Sequence, residues 1–275
     1  MSDNIPDELV MEILGRLPVR TLLRFRCVCK SWCSLISSEN FVTFWFNQTK
    51  RSVNNMNNLL LKHYTLHDKP HKQEHFSLHL DDESFTEYPL NKGSRPVARF
   101  DHLTVVGSCN GMVCVAEDHT LYLWNPSVRK FVVLPRPLKI LHNKLYYVLA
   151  LGLGFDSTTN DYKVVRIVYL SGGYLSVDRE VDIYSLKEGG WRRISAISGS
   201  CWVPRIDCEK SQAYLNGAIH WVTGWSHNSF IVLFNLSTEV FYKIELPTSL
   251  GHIREAHSLS LGVFQDSLCV FQSDT

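Results

Sequence analysis

The chain has 275 residues, 45% of them hydrophobic and 20% charged, enough to bury a sizeable core in one or two domains. Its 28 basic and 27 acidic residues nearly cancel, so no global field draws it to nucleic acid or to an anionic membrane. The longest apolar run, LYYVLALGLGF at 145–155, falls short of the roughly 20 residues that a spanning helix needs, and the acidic start MSDNIPDELVMEI lacks the layout of a secretory signal.

These features predict a protein of the cytoplasm or nucleus. In that reducing space eight unevenly spaced cysteines read as thiols. The sequons at Asn47 and Asn235 read as incidental.

The first 45 residues read as helix. In IPDELVMEILGRLP, Pro6 followed by Asp7 and Glu8 suits a helix N-terminus. At about 100° per residue, Leu9, Val10, Ile13, Leu14 and Leu17 share one broad sector, and Pro18 stops the helix. A second helical stretch runs from about Val19, with Leu22, Leu23 and Phe25 as its apolar side. Next comes RFRCVCKSWCSLI, which holds three cysteines in seven residues. Read as helix from Cys29 to Ile36, it places Cys29, Trp32, Cys33 and Ile36 at i, i+3, i+4 and i+7, the spacing of one buried stripe. Cys27 falls off that stripe, beside Arg26. No histidine or fourth cysteine follows before His63, so the four-ligand shell of a structural zinc is incomplete and the thiols read as packing.

Twenty-three of the first 45 residues are apolar. A unit of about 40 residues rarely buries enough surface to be stable alone. The module therefore either packs on the rest of the chain or offers its spare apolar surface to a partner.

Residues 46–99 read as a linker with short strands at NLLLKHY and HFSLHLD. Within it His63, His67, His71, His75 and His79 recur at every fourth residue. One continuous helix would line them up for a metal, but Pro70 interrupts it and FSLHLD alternates like a strand, so they read as solvated side chains.

From residue 100 onward the pattern is β. LYLWNPSVRKFVVLP, VDIYSLKEGGWRRIS and IVLFNLSTEVFYKIELP share one grammar: an apolar strand ending in an aromatic, a polar turn, and a second aromatic seven residues later. The pairs are Trp124 with Phe131, Tyr184 with Trp191, and Phe234 with Phe241. Their spacing is near the period of a four-stranded propeller blade. NG at 110–111 and 216–217 and DSTTND at 156–161 mark hairpins.

The sharpest catalytic motif is GSCNG at 107–111, which satisfies G-x-C-x-G around Cys109. A nucleophile elbow needs a helix after its turn, whereas MVCVAEDHTLYLW reads as strand. Cys109 therefore reads as a residue packed beside a tight turn, and His220 in NGAIHWV as a strand residue.

IPDELVMEILGRLPVRTLLRFRCVCKSWCSLISSENFV closely resembles the F-box. GSCNGMVCV, LYLWNPSVRKFVVLP, LGFDSTTNDYKVVRIV, VDIYSLKEGGWRRI, AYLNGAIHWV and IVLFNLSTEVFYKIELP, in that order, resemble the F-box-associated, kelch-like domain of plant F-box proteins. The resemblance implies an α+β multidomain chain: a three-helix F-box over 1–45 with a break near Val28, a linker over 46–99, and an all-β, propeller-like domain over 100–275. It further implies a non-catalytic substrate adaptor of an SCF-type ubiquitin ligase, with neither cofactor nor metal. The box would bind a Skp-family linker protein, which joins cullin and the RING subunit, and the β domain would hold an unknown target protein.

Carried over by position, the box residues are Ile5, Pro6, Leu9, Ile13, Leu14, Leu17, Pro18, Leu22, Leu23, Phe25, Val28, Cys29, Lys30, Trp32, Leu35 and Ile36, with Trp32 as the expected anchor. Tyr174, Trp202 and Trp225, in loop-like segments, are candidates for target recognition. Family members usually continue past the point where this chain stops, so the β domain is expected to be incomplete, with unpaired edge strands.

Overall fold

The computed structural model describes residues 5–51, 58–65, 73–80, 84–88, 103–117, 120–137, 146–171, 177–194, 206, 212–223, 229–247, 250 and 259–272. The chain divides into two compact units, one of residues 1–97 with the turn 125–130, the other of 98–124 and 131–275.

The first unit opens with four helices: α1 (Asp7–Gly15), α2 (Val19–Phe25), α3 (Lys30–Ser37) and α4 (Glu39–Arg51). Pro6 and Pro18 stand immediately before α1 and α2, where a missing N–H costs nothing and a fixed φ favours the first turn. Their carbonyls accept the first helical bonds, from Leu9 and Val10 in one case and Thr21 and Leu22 in the other. The fourth helix is additional to the three expected. Its start is set by Ser38, whose Oγ accepts from the N–H of Phe41 at 3.2 Å.

Leu14, Leu22, Ile36 and Phe41 form the buried centre of the bundle, and Val10, Met11, Leu17, Phe25, Trp32, Leu35 and Trp45 pack around them. The Trp45 indole N–H donates to the Leu17 carbonyl at 3.0 Å, which ties α4 to the end of the first helix. Beyond the helices, β1 (Asn58–Thr65), β2 (Gln73–Leu80) and β3 (Glu87–Tyr88) form an antiparallel sheet, so the two strands read in the linker are neighbours.

The second unit is a series of sheets that each run in chain order. The first is β4 (Thr104–Cys109), β5 (Met112–Glu117), β6 (Thr120–Asn125) and β7 (Lys130–Val133). The second is β8 (Tyr146–Asp156), β9 (Asp161–Ser171), β10 (Val177–Ser185) and β11 (Gly190–Arg193). The third is β12 (Ala213–Leu215), β13 (Ala218–Val222), β14 (Phe230–Asn235) and β15 (Val240–Glu245). Among the described residues the last sheet holds two strands, β16 (Leu259–Phe264) and β17 (Ser267–Gln272). Among the described residues, three four-stranded sheets and a two-stranded one form the propeller-like arrangement expected from the repeat.

The repeated grammar is the turn between the third and fourth strands of each blade. The turns after β6, β10 and β14 each end on a residue of positive φ: Arg129 (57°), Gly189 (69°) and Glu239 (57°). That conformation brings the two aromatics of the grammar into register. Tyr184 lies 5.3 Å from Trp191 and Phe234 lies 4.6 Å from Phe241, while in the first blade Phe131 meets Tyr122 edge-on. Such cross-strand aromatic pairs stabilise a sheet by up to about 1 kcal/mol each.

The inner blade strands are covered on both faces, which explains apolar runs such as VVRIV. Val164 belongs to the cluster with Leu123, Leu153 and Tyr184. Its neighbour Val165 belongs to the next cluster, with Ile183, Ile219, Trp221 and Phe234. A third cluster joins Val222 and Ile231 to Leu259 and Leu261. Successive side chains point to opposite faces of a strand, so each blade feeds two cores.

Candidate functional site

The box separates its apolar residues into two sets. On α1, Leu14 is buried and Val10 half-buried, and Leu17, just past the end of the helix, is half-buried too, all packed within the bundle. One helical step around, Ile5, Leu9 and Ile13 are 59%, 51% and 57% exposed. Leu9 and Ile13 stand at i and i+4 on the outside of the helix, and Ile5 lies in the extended segment just before it. Val28, in the turn between α2 and α3, is 62% exposed, and Val42 on α4 is exposed as well. The broad apolar sector of α1 is thus two rows, one holding the bundle together and one facing solvent.

The remaining box positions sort the same way. Leu22 and Ile36 are buried. Leu23, Phe25, Trp32 and Leu35 are half-buried, with the Phe25 and Trp32 rings 5.3 Å apart. Pro6, Pro18 and Lys30 are exposed.

Cys29 corrects the sequence reading. It is not on a buried stripe: it is exposed and stands just before α3, its Sγ accepting from the N–H of Trp32 at 3.5 Å. Ser31 Oγ lies 3.1 Å from the same sulfur, and the two contacts hold the thiol below the ordinary cysteine value. The i, i+3, i+4, i+7 pattern misled because the helix starts one residue later, leaving Cys29 as its cap. Cys27 is exposed and Cys33 half-buried.

Cys109 ends β4 and is buried. Asn110 and Gly111, with φ of 49° and 77°, turn the chain straight into β5. Strand, turn and strand give no elbow. Burial, followed by the charge of Cys109, pushes the Tyr162 hydroxyl up to about 12. His220, buried on β13, places Nδ1 3.3 Å from the Ala213 carbonyl, and burial pushes its pKa down. Tyr174, Trp202 and Trp225 lie outside the described residues, as do His67 and His71.

Sequence reasoning passed over the buried charges that tie the blades into a scaffold. At the β8–β9 turn, Asp156 accepts from Lys163 Nζ at 2.8 Å, Thr158 Oγ1 at 2.7 Å and Ser237 Oγ at 2.8 Å. Lys163 also donates to the Leu236 carbonyl at 2.9 Å and to Glu239 at 3.3 Å, and Glu239 is paired with Arg192. Two blades are joined by their turns in this way. Burial alone would raise the Asp156 pKa; the hydrogen bonds, that from Lys163 foremost, overcome it and hold the carboxyl well below the usual range. Within the second blade, Asp182 accepts from Arg166 at 2.7 Å and from Arg193 at 2.8 Å, and Arg193 reaches Glu180 at 2.9 Å. The visible signal was DSTTNDYK, whose Asp156 and Lys163 are seven residues apart in sequence and directly bonded in space.

Comparison with known proteins gives these features a family. The F-box domain model matches residues 2–44, and the F-box associated beta propeller domain model matches residues 76–275. A putative F-box protein of Arabidopsis thaliana is 30% identical over 90% of this chain and 62% of its own length. An F-box/kelch-repeat protein of the same plant is 30% identical over 94% of this chain and 69% of its own length. The F-box protein CPR1, also from that plant, is 28% identical over 97% of this chain and 66% of its own length. This chain therefore spans about two thirds of the length of these relatives. With a helical module at 2–44 and the bladed domain that follows it in sequence both matched, this chain belongs to the F-box proteins that carry an F-box-associated β-propeller domain.

Proposed function

We propose that this chain is the substrate-receptor subunit of an SCF-type ubiquitin ligase, working in the cytoplasm or nucleus. The observation that carries the reading is the outer row of α1. Leu9 and Ile13, with Ile5 just ahead of the helix, keep more than half of their surface in water although a bundle core lies one helical step away. Apolar side chains aligned on one helix face are the form that helix-in-groove recognition takes. The occupant is a Skp-family linker protein, which brings in cullin and the RING subunit. Val28 and the exposed Lys30 extend the docking set, while Leu14, Leu22, Ile36 and the half-buried Trp32 hold the row in place. The β domain presents its loops to the protein that is to be ubiquitinated, and catalysis resides in the assembled ligase.

Co-purification with a Skp-family protein tests the docking step. The double variant Leu9→Asp and Ile13→Asp should lose the linker while hydrogen exchange in the four helices stays as in the wild type. Undiminished binding in that variant would overturn the reading. For the second step, deletion of residues 1–45 should stabilise the target in cells, and proximity labelling with the deleted form should enrich it.

A further inference from the structure

The five histidines at every fourth position lie on no common helix. The hairpin decides which of them meet: His63 on β1 stands directly opposite His75 on β2. Their imidazoles stack, with ring centres 5.4 Å apart and planes 20° from parallel. Directly opposed residues of an antiparallel pair have Cβ atoms about 4.5–5.5 Å apart, so a small ion above the pair reaches both rings. Metal–nitrogen bonds of about 2.0–2.1 Å in a tetrahedral arrangement place the centres of two ligating imidazoles about 5 Å apart, close to the spacing of this pair. Rotation about χ2, a soft torsion in histidine, turns the ring lone pairs from parallel to convergent.

His63 is exposed and His75 half-buried, so water has access to complete the shell. Among the described residues no three His, Cys, Asp or Glu side chains gather for a metal, and within them the pair supplies two ligands. His79 is on the same sheet. Its Nε2 lies 2.9 Å from Ser77 Oγ, its Nδ1 lies 3.1 Å from the Phe85 carbonyl, and its ring stacks on Phe85 with centres 4.4 Å apart.

We propose that His63 and His75 form a bidentate site for a divalent cation of the zinc class, which clips β1 to β2 across the hairpin. Imidazole donors select zinc, copper and nickel over magnesium and calcium, which take oxygen. The ion is bound by lone pairs alone, with no electron transferred. The site is independent of the ligase reading, since it uses neither the α1 row nor the blades.

Zinc chloride titrated into the full chain, followed in the ring nitrogen and carbon-bound proton resonances of each histidine, tests the site residue by residue and so avoids confusion with thiols such as Cys27. His63 and His75 should shift together, ahead of the other histidines, and saturate at one equivalent. His63→Ala should abolish the response of His75, and the converse substitution that of His63. His75→Phe keeps a ring in the stack and should abolish the His63 response with unchanged amide shifts in β1, whereas His79→Ala should leave both responses intact. If His75 responds in the same way without His63, or if all histidines respond in parallel, the binding is adventitious and the proposal falls.

Discussion

The helical box and the β domain place their side chains by opposite habits. The box, although rich in apolar residues, buries only Leu14, Leu22, Ile36 and Phe41 as its apolar centre and leaves Ile5, Leu9, Ile13, Val28 and Val42 in water. The inner strands of the β domain do the reverse, taking Asp156, Lys163, Arg166 and Asp182 inside along with their apolar residues. The difference is geometric. A helix turns its surface through a full circle, so one broad apolar sector can serve a core and a partner. An inner blade strand has two faces, and neighbouring blades claim both, so what it carries is buried, charge included, while the outer strands β7 and β15 stay mostly exposed.

The largest effects should come from disturbing that buried charge. Replacing Asp156 with Ala leaves Lys163 without its 2.8 Å partner, at a cost of about 3–5 kcal/mol in urea unfolding. The same carboxylate gives the wild type an acid limit. Its pKa is lower folded than unfolded, so its contribution is complete above the ordinary aspartate range near 3.9 and is lost as the pH falls below it. In Asp156→Ala the slope of stability against pH below about 4 should be shallower than in the wild type. An equal slope would show that Asp156 is not the acid-sensitive tie.

Next in size is a pair of substitutions that breaks the box along its own division. Leu14→Ala should cost about 2–5 kcal/mol and loosen hydrogen exchange throughout the helices. Leu9→Ala, five residues earlier on the same helix, should change stability by less than about 0.5 kcal/mol. Equal costs would mean that the two rows of α1 are not distinct in solution.

How much of this could be read beforehand follows from the same geometry. The helix starts were visible because Pro6 and Pro18 act locally, through φ and a missing donor. The blade turns were visible because NG and the spaced aromatics are local too. The split of the α1 sector was not, since Leu9 and Leu14 differ only in which side the other helices pack, a long-range fact. α4 was missed because its cap is one serine and its aromatics suit a strand equally well. Cys29 was misread by a single-residue shift in the helix start. The Asp156 network bridges turns about 80 residues apart, and no periodicity reports such a contact.

Glycines in LGLGF sharpen the account of the blades at a smaller scale. A Cβ on Gly152 would lie 2.5 Å from Trp221 Cζ2 and 2.7 Å from Ile219 Cγ2 of the third blade. A Cβ on Gly154 would lie 2.5 Å from Leu236. The second blade can approach the third only because these positions carry no side chain. Gly152→Ala should destabilise the β domain by about 1–3 kcal/mol in urea, with the helices of the box unaffected in hydrogen exchange.

The last effect is a gain. Asn110–Gly111 and Asn216–Gly217 have φ of 49° and 77°, and 49° and 76°, the paired positive values of a type I′ hairpin turn. The turn between β16 and β17 has the same form, at 47° and 57°, but is built from Gln265 and Asp266. Glutamine lacks the short polar side chain that eases asparagine into this region, and aspartate retains the Cβ that glycine avoids. Changing the pair to Asn–Gly should therefore stabilise this hairpin by about 1 kcal/mol, a roughly fivefold rise in amide protection across β16 and β17. The four-stranded blades should not change. If protection stays level, the turn does not limit the two-stranded sheet; its stability then comes from Leu259 and Leu261 packing against the third blade, the side-chain burial that governs the rest of the β domain.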